Sequence, residues 1–354
     1  MEVKIISKVL VTGGAGFVGS HTAEFYLKNG NDVIVFDNIS RAQLLGKGYE
    51  NALYNWNHLK KYDNVKLDKG DVTNSEQIKE ACKYVDVIIH AAAQTAVTTS
   101  LLDPKTDFAI NALGTFNVLE GARNSSNDPA VLFCSTNKVY GENVNRVKVL
   151  EKETRYAFED EFRNGIPETF QVDLCEHTPY GCSKLTGDLY LQEYGKIYGL
   201  KTAVFRMSCI YGPRQFGVED QGWVAWFTIA TITEKPITIY GDGKQVRDVL
   251  YISNLIQAFD AFLQRKNQLS GEVFNIGGGP QNALSLLELL DLLEELTGKR
   301  SKINFSNWRP SDQKVYISDI TKAKEKLGWT PKISPQEGVK RLVNWVLENK
   351  QLFK

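Results

Sequence analysis

Short apolar runs, rich in β-branched residues, alternate with amphipathic stretches from Met1 to about Phe205. Such runs are typical of strands that a sheet buries on both faces, and the stretches between them have helical spacing. The pattern predicts strands at Lys8 to Thr12, Val33 to Phe36, Val65 to Lys69, Asp86 to His90, Ala130 to Cys134 and Thr202 to Arg206. Because these strands alternate with helices, we expect an α/β fold with a doubly wound parallel sheet.

The alternation loosens after Arg206, which predicts a second, smaller domain. Glu272 to Ile276 predicts a late strand that returns to the main sheet, so the domains are expected to be discontinuous. Ser285 to Thr297 has the spacing of an amphipathic helix that ends at Gly298. We expect a first domain of residues 1–205 and about 241–277, and a C-terminal domain of residues 206–240 and 278–354.

Composition excludes several classes of protein. The 42 Lys and Arg residues balance 42 Asp and Glu residues in 354 positions, so no excess charge points to a nucleic-acid or membrane partner. The five cysteines are scattered and form no Cys-x-x-Cys pair, which predicts reduced thiols in the cytoplasm and no metal site. Met1 to Lys8 lacks the apolar stretch of a signal peptide, and Gln221 to Thr233 is too short to span a membrane.

The string Thr12-Gly-Gly-Ala-Gly-Phe-Val-Gly19 stands between the first strand and a helix, and Asp37 ends the next strand. This context is the fingerprint of a Rossmann-type dinucleotide site, in which glycines let a pyrophosphate approach a helix N-terminus. Asp37 is expected to accept hydrogen bonds from the adenosine ribose, which favours NAD. Arg41 leaves NADP open. The alternative is a structural turn followed by an ordinary Asp.

Tyr180-Gly-Cys-Ser-Lys184 begins a predicted helix, where residues four apart share a face. Lys184 can therefore lie near both the Tyr180 phenol and a cofactor ribose. A tyrosine base near neutral pH needs its pKa lowered by about 3 units, and two nearby positive charges, lysine and oxidised nicotinamide, can provide this. Thr136, at the end of the strand before Asn137-Lys138, is expected to hydrogen-bond the same substrate oxygen.

Together these motifs resemble the extended short-chain dehydrogenase/reductase superfamily, in particular its nucleotide-sugar epimerases and dehydratases. The resemblance covers nearly the whole chain and includes His90-Ala-Ala-Ala-Gln94, Phe205-Arg-Met-Ser208, Arg247-Asp-Val249 and Arg309-Pro-Ser-Asp312. It implies Tyr180, Lys184 and Thr136 as catalytic residues. It also implies an NAD site formed by Gly13, Gly16, Phe17, Val18, Asp37, Asn38, Ser40, Arg41, Asp71, Val72, Ala91, Ala92, Gln94, Asn111, Tyr180 and Lys184.

The dehydratases of that superfamily carry Asp-Glu after the catalytic Thr, whereas this chain has Asn137 and Lys138. Neither residue replaces the carboxylic pair, so hydride removal and return is favoured over dehydration. The strings from Thr136 to Gly141, from His177 to Lys184 and from Gly243 to Val249 resemble the CDP-paratose 2-epimerase family. The acidic insert from Glu142 to Glu176 adds to this resemblance.

This second resemblance implies conversion of CDP-paratose to CDP-tyvelose through a 2-keto sugar, with hydride passing to NAD and returning to the opposite face. The expected substrate contacts are Thr136, Asn137, Lys138, His177, Arg214, Gln215, Arg247 and Arg309. The alternatives are a UDP-hexose 4-epimerase with the same site and, more remotely, a non-catalytic NAD-binding scaffold. The superfamily also suggests a homodimer formed through Thr106 to Arg123 and Tyr180 to Ile197.

Overall fold

The computed structural model describes residues 7–41, 53–309 and 312–353. The strands are β1 (Lys8–Thr12), β2 (Asp32–Asp37), β3 (Val65–Lys69), β4 (Val87–His90), β5 (Ala130–Thr136), β6 (Val149–Glu151), β7 (Tyr156–Phe158), β8 (Thr202–Met207), β9 (Cys209–Tyr211), β10 (Ile237–Tyr240), β11 (Val246–Tyr251), β12 (Glu272–Ile276), β13 (Ala283–Ser285), β14 (Ile303–Ser306) and β15 (Val315–Tyr316).

The helices alternate with these strands through the first half of the chain. They are α1 (Phe17–Lys28), α2 (Tyr54–Leu59), α3 (Ser75–Cys82), α4 (Val97–Leu102), α5 (Pro104–Phe108), α6 (Gly114–Arg123), α7 (Pro179–Ile197), α8 (Trp223–Thr233), α9 (Ile252–Leu263), α10 (Leu286–Thr297), α11 (Thr321–Leu327) and α12 (Pro335–Glu348). A π-helix, Ala109–Leu113, joins α5 to α6, and 3-10 segments are Asn137–Arg146, Asp160–Phe162, Pro280–Asn282 and Lys350–Phe353. No helix in these described ranges is long and apolar enough to cross a membrane.

Seven strands form the main sheet in the order β12-β8-β5-β4-β1-β2-β3. The pairs that join β1 to β2 and β4, β2 to β3, and β4 to β5 are parallel. Leu10 lies between Ile34 and Ile88 at the centre, and all three side chains are buried. Strand order reverses between β1 and β4, which is where doubly wound sheets bind ligands. The predicted Rossmann-type fold and the late return of β12 to the sheet are confirmed.

Local sequence explains most element boundaries. Each strand predicted for the main sheet is present, although β5 runs two residues beyond Cys134 because Ser135 and Thr136 are also buried in the sheet. Helix α10 begins with a capping box, in which Ser285 accepts from the Glu288 amide and the Glu288 carboxylate accepts from the Ser285 amide. It ends at Gly298, whose φ of 66° favours glycine.

The chain divides into two compact units of similar length. The first comprises Met1–Thr136, Pro179–Phe205 and Phe259–Val273, and the second comprises Asn137–Thr178, Arg206–Ala258 and Phe274–Lys354. The predicted boundaries differ from this division, because residues 137–178, 241–258 and 274–277 belong to the second unit. The insert explains the first difference: the Tyr156 amide donates to the Lys244 carbonyl, and Arg155 pairs with Glu288 at 2.9 Å.

The first unit is centred on apolar side chains of the sheet and of α3, α6 and α7, including Leu10, Ile78, Leu119 and Leu191. Within the second unit, β11 pairs with β9, β13 and β15, while β10 pairs with β14. Its helices α8, α10 and α12 pack on one another. Each unit therefore has its own arrangement of strands and helices.

Candidate active site

The glycine loop follows β1 and begins at a left-handed residue, Gly13, with φ of 66°. A Cβ at Gly13 would lie 2.6 Å from the Ala92 nitrogen, and a Cβ at Gly19 would lie 2.1 Å from the Gly13 oxygen. Helix α1 starts after Gly16 with no side-chain cap. The loop therefore packs its backbone closely at the carboxyl ends of β1 and β4. The N–H groups at the start of α1 stay available to an anion, and this arrangement fits a pyrophosphate.

Asp37 lies at the carboxyl end of β2 and is held by backbone donors on both oxygens. The Ala15 amide donates to Oδ2 at 2.9 Å and the Ile39 amide donates to Oδ1 at 2.7 Å. Burial raises the pKa of Asp37, and these two hydrogen bonds oppose that shift. Each carboxylate oxygen has a further lone-pair position, so Asp37 can still accept hydrogen bonds from a ribose. Arg41, four residues on, is exposed.

The other predicted cofactor residues follow β2, β3 and β4, begin α1 or lie in the π-helix. The Asn38 side chain donates to Asp71 at 2.8 Å, and the Ser40 amide donates to Asn38. Ala91 and Ala92 follow β4, and Gln94 exchanges two hydrogen bonds with the Asn111 side chain, at 2.9 and 3.0 Å. Val72 is buried, and Phe17 and Val18 begin α1. All these residues belong to the first unit, and their donor set and glycine cradle fit NAD.

Thr136, Tyr180 and Lys184 come together in the same unit. Thr136 ends β5 and shares a side-chain hydrogen bond with Tyr180, which lies in the first turn of α7. The Tyr180 amide donates to the Ser100 hydroxyl at 3.2 Å, which satisfies one of the free N–H groups of that turn. Burial raises the pKa of Tyr180 to about 12, and the hydrogen bond from Thr136 opposes the rise. Further positive charge is therefore needed to make Tyr180 a base near neutral pH.

Lys184 is a buried ammonium, with its side chain one helical turn after Tyr180. Its Nζ lies 4.0 Å from the centroid of the Phe133 ring, a cation–π contact. Burial lowers the pKa of Lys184 to about 8, while Cys134, Asp107 and Asp188 act in the opposite direction. A protonated Lys184 at neutral pH can supply positive charge and a hydrogen-bond donor at this site.

His90, at the end of β4, connects β1 to α6 through hydrogen bonds of its ring with Thr12 and Thr115. Thr115 donates to the Asn111 carbonyl, so its oxygen is free to accept from His90 Nε2 at 2.9 Å. His90 Nδ1 then accepts from the Thr12 hydroxyl at 2.7 Å, which assigns the Nε2–H tautomer. Burial and the charge of Lys184 lower the pKa of His90 to about 3. The string that begins at His90 was part of the family resemblance, but no role was predicted for His90. Its two hydrogen bonds and its low pKa show a neutral ring that links β1 to α6.

Two of the predicted substrate arginines form ion pairs within the second unit. Arg247 contacts Asp312 at 2.6 Å, and its Nη1 also donates to the Val246 carbonyl. Arg309 contacts Asp220 at 2.8 Å and lies 3.9 Å from the centroid of the Tyr240 ring. Pro310 and Ser311, between the arginine and Asp312, lie outside the described residues. Carboxylates therefore hold both guanidinium groups in place.

The other predicted substrate residues also belong to the second unit, except Thr136. Asn137 is buried, and burial together with Arg247 lowers the pKa of Lys138. Arg214 is buried with φ of 62°. Gln215 donates to the Ile210 carbonyl. The His177 nitrogens face the Val139 carbonyl at 2.9 Å and the Cys175 carbonyl at 3.2 Å, so its ring is held by backbone.

The fold and the site together identify the class of protein to which the chain belongs. A doubly wound parallel sheet carries a glycine loop at its switch point, and a Tyr-x-x-x-Lys helix places its tyrosine against a threonine from the middle of the sheet. These are the features of a short-chain dehydrogenase/reductase.

Comparisons with known proteins agree. The model of the family described as GDP-mannose 4,6 dehydratase matches residues 10–342. CDP-paratose 2-epimerase of Salmonella typhi is 42% identical over 345 residues, covering 96% of this chain and 98% of that protein. The structure of UDP-glucose 4-epimerase from Thermotoga maritima with UDP-glucose has a TM-score of 0.81 at 32% identity and covers 97% of this chain and 99% of that one. UDP-glucuronic acid 4-epimerase from Bacillus cereus, in complex with UDP-glucuronic acid and NAD, has the same TM-score at 28% identity, with coverage of 97% and 99%.

The chain therefore belongs to the extended short-chain dehydrogenase/reductase family of NAD-dependent nucleotide-sugar epimerases and dehydratases. It is an enzyme, and its cofactor is NAD.

Proposed function

We propose that this enzyme inverts carbon 2 of a CDP-hexose and converts CDP-paratose to CDP-tyvelose. The observation that carries the proposal is the Thr136–Tyr180 hydrogen bond beside the buried Lys184, a hydride-transfer site without an acidic pair next to Thr136. Dehydration needs an acid and a base at adjacent carbons, and Asn137 and Lys138 do not provide them. The 42% identity to a CDP-paratose 2-epimerase supports this sugar and this nucleotide.

In the proposed mechanism, Tyr180 removes the proton of the carbon 2 hydroxyl while Thr136 donates a hydrogen bond to the same oxygen. When bound, NAD supplies the hydride acceptor and donor for this exchange. Bringing the pKa of Tyr180 from about 12 to near 7 requires about 7 kcal/mol of added preference for the phenolate. In the proposal, part of this preference comes from the Lys184 ammonium, one helical turn further along α7, and part from the charge of the oxidised nicotinamide when it is bound. After the keto sugar presents its other face, Tyr180 returns the proton to the oxygen.

We further propose that the first unit binds NAD and the second unit binds the nucleotide sugar, with Lys138, Arg214, Arg247 and Arg309 toward its phosphates. Arginine suits this task because its planar fork binds phosphate oxygens in pairs. Asp312 and Asp220 hold Arg247 and Arg309 in the ligand-free chain, so phosphate oxygens would share or replace these carboxylates. The five free cysteines support a cytoplasmic location.

A second candidate is a 4-epimerase for UDP-hexoses. The Thermotoga maritima and Bacillus cereus structures, both of 4-epimerases, support it, since the same three catalytic residues would serve either carbon. A non-catalytic NAD-binding scaffold is opposed by the assembled tyrosine, lysine and threonine. The reacting carbon therefore has to be decided by the product.

The test is to incubate the holoenzyme with CDP-glucose, CDP-paratose and UDP-glucose in deuterated water and to identify the products by NMR. We expect inversion at carbon 2 of the CDP-sugars with no deuterium at that carbon, because hydride returns directly. Inversion at carbon 4 of UDP-glucose would favour the second candidate, and deuterium at carbon 2 would replace hydride return with deprotonation. No product from any sugar would favour the scaffold.

Tyr180→Phe tests the base in the same assay. The variant lacks only a hydroxyl, so it should fold normally and lose at least about 1,000-fold in kcat, within the usual range for general-base catalysis. Tyr198→Phe is the matched control, because Tyr198 is exposed just beyond the end of α7. Near-normal turnover by Tyr180→Phe would exclude Tyr180 as the base.

We also propose a homodimer formed through α5, the π-helix, α6 and α7 of the first unit. These elements leave large apolar side chains exposed, namely Phe108, Leu113, Phe116, Leu189, Tyr190 and Ile197. The rings of Phe116 and Tyr190 meet edge to face at 5.9 Å, so the exposed faces of α6 and α7 adjoin. Monomeric proteins rarely expose a continuous apolar patch of this kind, and a second copy of the chain would cover it.

A further inference from the structure

Asp107 is a buried carboxylate beside the catalytic helix, and the sequence motifs assign it no role. It lies in α5 with 1% of its surface exposed. Its Oδ1 accepts from the Asn111 side chain at 3.1 Å, whereas its Oδ2 has no hydrogen-bond partner within the described residues. A buried carboxylate that is only half satisfied is costly, so its presence calls for an explanation.

Asp107 connects to α7 through two side chains. The Asn111 Nδ2 that donates to Asp107 also lies 3.1 Å from the Ser183 hydroxyl, and its two hydrogens are shared among Asp107, Ser183 and the Gln94 carbonyl. Ser183 in turn donates to the Tyr180 carbonyl at 3.1 Å, in the first turn of α7. Asn111 lies in the π-helix that follows α5, and π-helices are rare elements that frequently occur at functional sites. Hydrogen bonds therefore connect Asp107, through Asn111 and Ser183, to the backbone carbonyl of Tyr180.

Asp107 acts electrostatically on both Tyr180 and Lys184. Its carboxylate raises the pKa of both Lys184 and Tyr180. The other groups facing Lys184 are Cys134 from β5, Asp188 from α7 and the neutral His90 from β4.

Asp188 already accepts hydrogen bonds from Ser135 at 2.9 Å and from Gln192 at 2.8 Å. Burial raises the pKa of Asp107, while the Ser183 hydroxyl and the charge of Lys184 oppose that rise. Its Oδ2 has no hydrogen-bond partner within the described residues, so local donors compensate its charge only in part. A buried charge with few donors acts more strongly on its neighbours, because the low local dielectric screens it little.

We propose that Asp107 is a positioning residue that keeps the Lys184 ammonium charged and fixes the first turn of α7 through Asn111. The proposal rests on the Tyr180, Lys184 and Thr136 chemistry described under the proposed function. In that chemistry, activity requires an ionised Tyr180 and a protonated Lys184.

The test compares Asp107→Asn with Asp103→Asn in pH–rate profiles of the holoenzyme. Asparagine keeps the size and the acceptor for Asn111 but removes the charge. Without the negative charge, the Lys184 ammonium and the Tyr180 phenol both lose protons at lower pH. We therefore expect both limbs of the kcat profile to move toward acid by about one unit, the lower end of the range for a neighbouring charge. Asp103, an exposed N-cap of α5 that asparagine can replace, should give no shift.

A profile that stays in place while kcat falls would overturn the electrostatic role, and an equal shift in Asp103→Asn would do the same. If Asp107→Asn does not fold, the smaller neutral Asp107→Ser is used with the same expectation. A second measurement needs no sugar substrate: the tyrosinate absorbance of the holoenzyme is titrated with pH and corrected with Tyr180→Phe. Tyr180 should ionise at lower pH in Asp107→Asn, and an unchanged titration would contradict the proposal. Because it uses no turnover, this result stands apart from failure of the proposed epimerase activity.

Discussion

Burial of the Lys184 ammonium lowers the free energy of unfolding of the first unit. A lysine in water has a pKa near 10.5, and burial in the first unit lowers it to about 8. At pH 7 the folded enzyme therefore keeps an ammonium that burial disfavours. The contact with the Phe133 ring offsets part of this cost. Such a charge is expected where a reaction needs it, and it should be removable with a gain in stability.

We predict that cofactor-free Lys184→Met is more stable than the wild type at pH 7 by about 2–3 kcal/mol, since methionine fills the space without a charge. The folded chain releases the lysine proton near pH 8 and the unfolded chain near pH 10.5, so wild-type stability rises with pH between these values. The advantage of the variant should shrink over that window. Urea unfolding at pH 7 and pH 10 measures it, with the exposed Lys79→Met as control. A variant less stable than wild type at pH 7 would contradict this account.

At the scale of elements, the loop from β1 to α1 is fixed by contacts that only glycine allows. We predict that Gly19→Ala destabilises the protein by about 2–3 kcal/mol and weakens NAD binding at least tenfold, because its Cβ would lie 2.1 Å from the Gly13 oxygen. Urea unfolding and calorimetric titration of NAD measure the two effects.

Gly30→Ala is the matched control for the loop. Gly30 has φ of 78°, but no atom lies within 4 Å of a Cβ placed there. Alanine at this position should cost about 1–2 kcal/mol from backbone strain alone and leave NAD affinity unchanged. If Gly19→Ala bound NAD as tightly as Gly30→Ala, the loop would not be the pyrophosphate site.

The strands of the main sheet were predictable because a sheet covered on both faces leaves continuous apolar runs, as in β4 and β5. That Tyr180 and Lys184 share one helix was predictable from their spacing of four residues, and their catalytic role stays a prediction. The packing of residues 137–178 with the second unit was not, because the contacts of Arg155 and Tyr156 join segments far apart in sequence. Asp107 was also missed. Its distance of four positions from Asn111 was visible, but the π-helix that brings both to the active-site helix has no clear sequence signal.

At the scale of the molecule, 42 basic residues balance 42 acidic residues. The same balance is seen locally at Arg247 and Arg309, which are paired with Asp312 and Asp220, so a phosphate would have to share or displace these carboxylates. Several large apolar side chains are exposed together on α5, α6 and α7. Their covering by a second copy of the chain gives the last prediction.

We predict that the wild type is a dimer and that Phe116→Glu weakens association at least about tenfold, or ~1.4 kcal/mol, because a buried carboxylate without a partner opposes contact. Phe116 is 39% exposed and contacts Tyr190, so it lies where the faces of α6 and α7 meet. Leu347→Glu is the matched control, since Leu347 is 51% exposed on α12 of the second unit. Sedimentation equilibrium should report a monomer for Phe116→Glu at concentrations where the wild type and Leu347→Glu are dimers. A monomeric wild type, or a Phe116→Glu dimer as tight as the control, would exclude this interface.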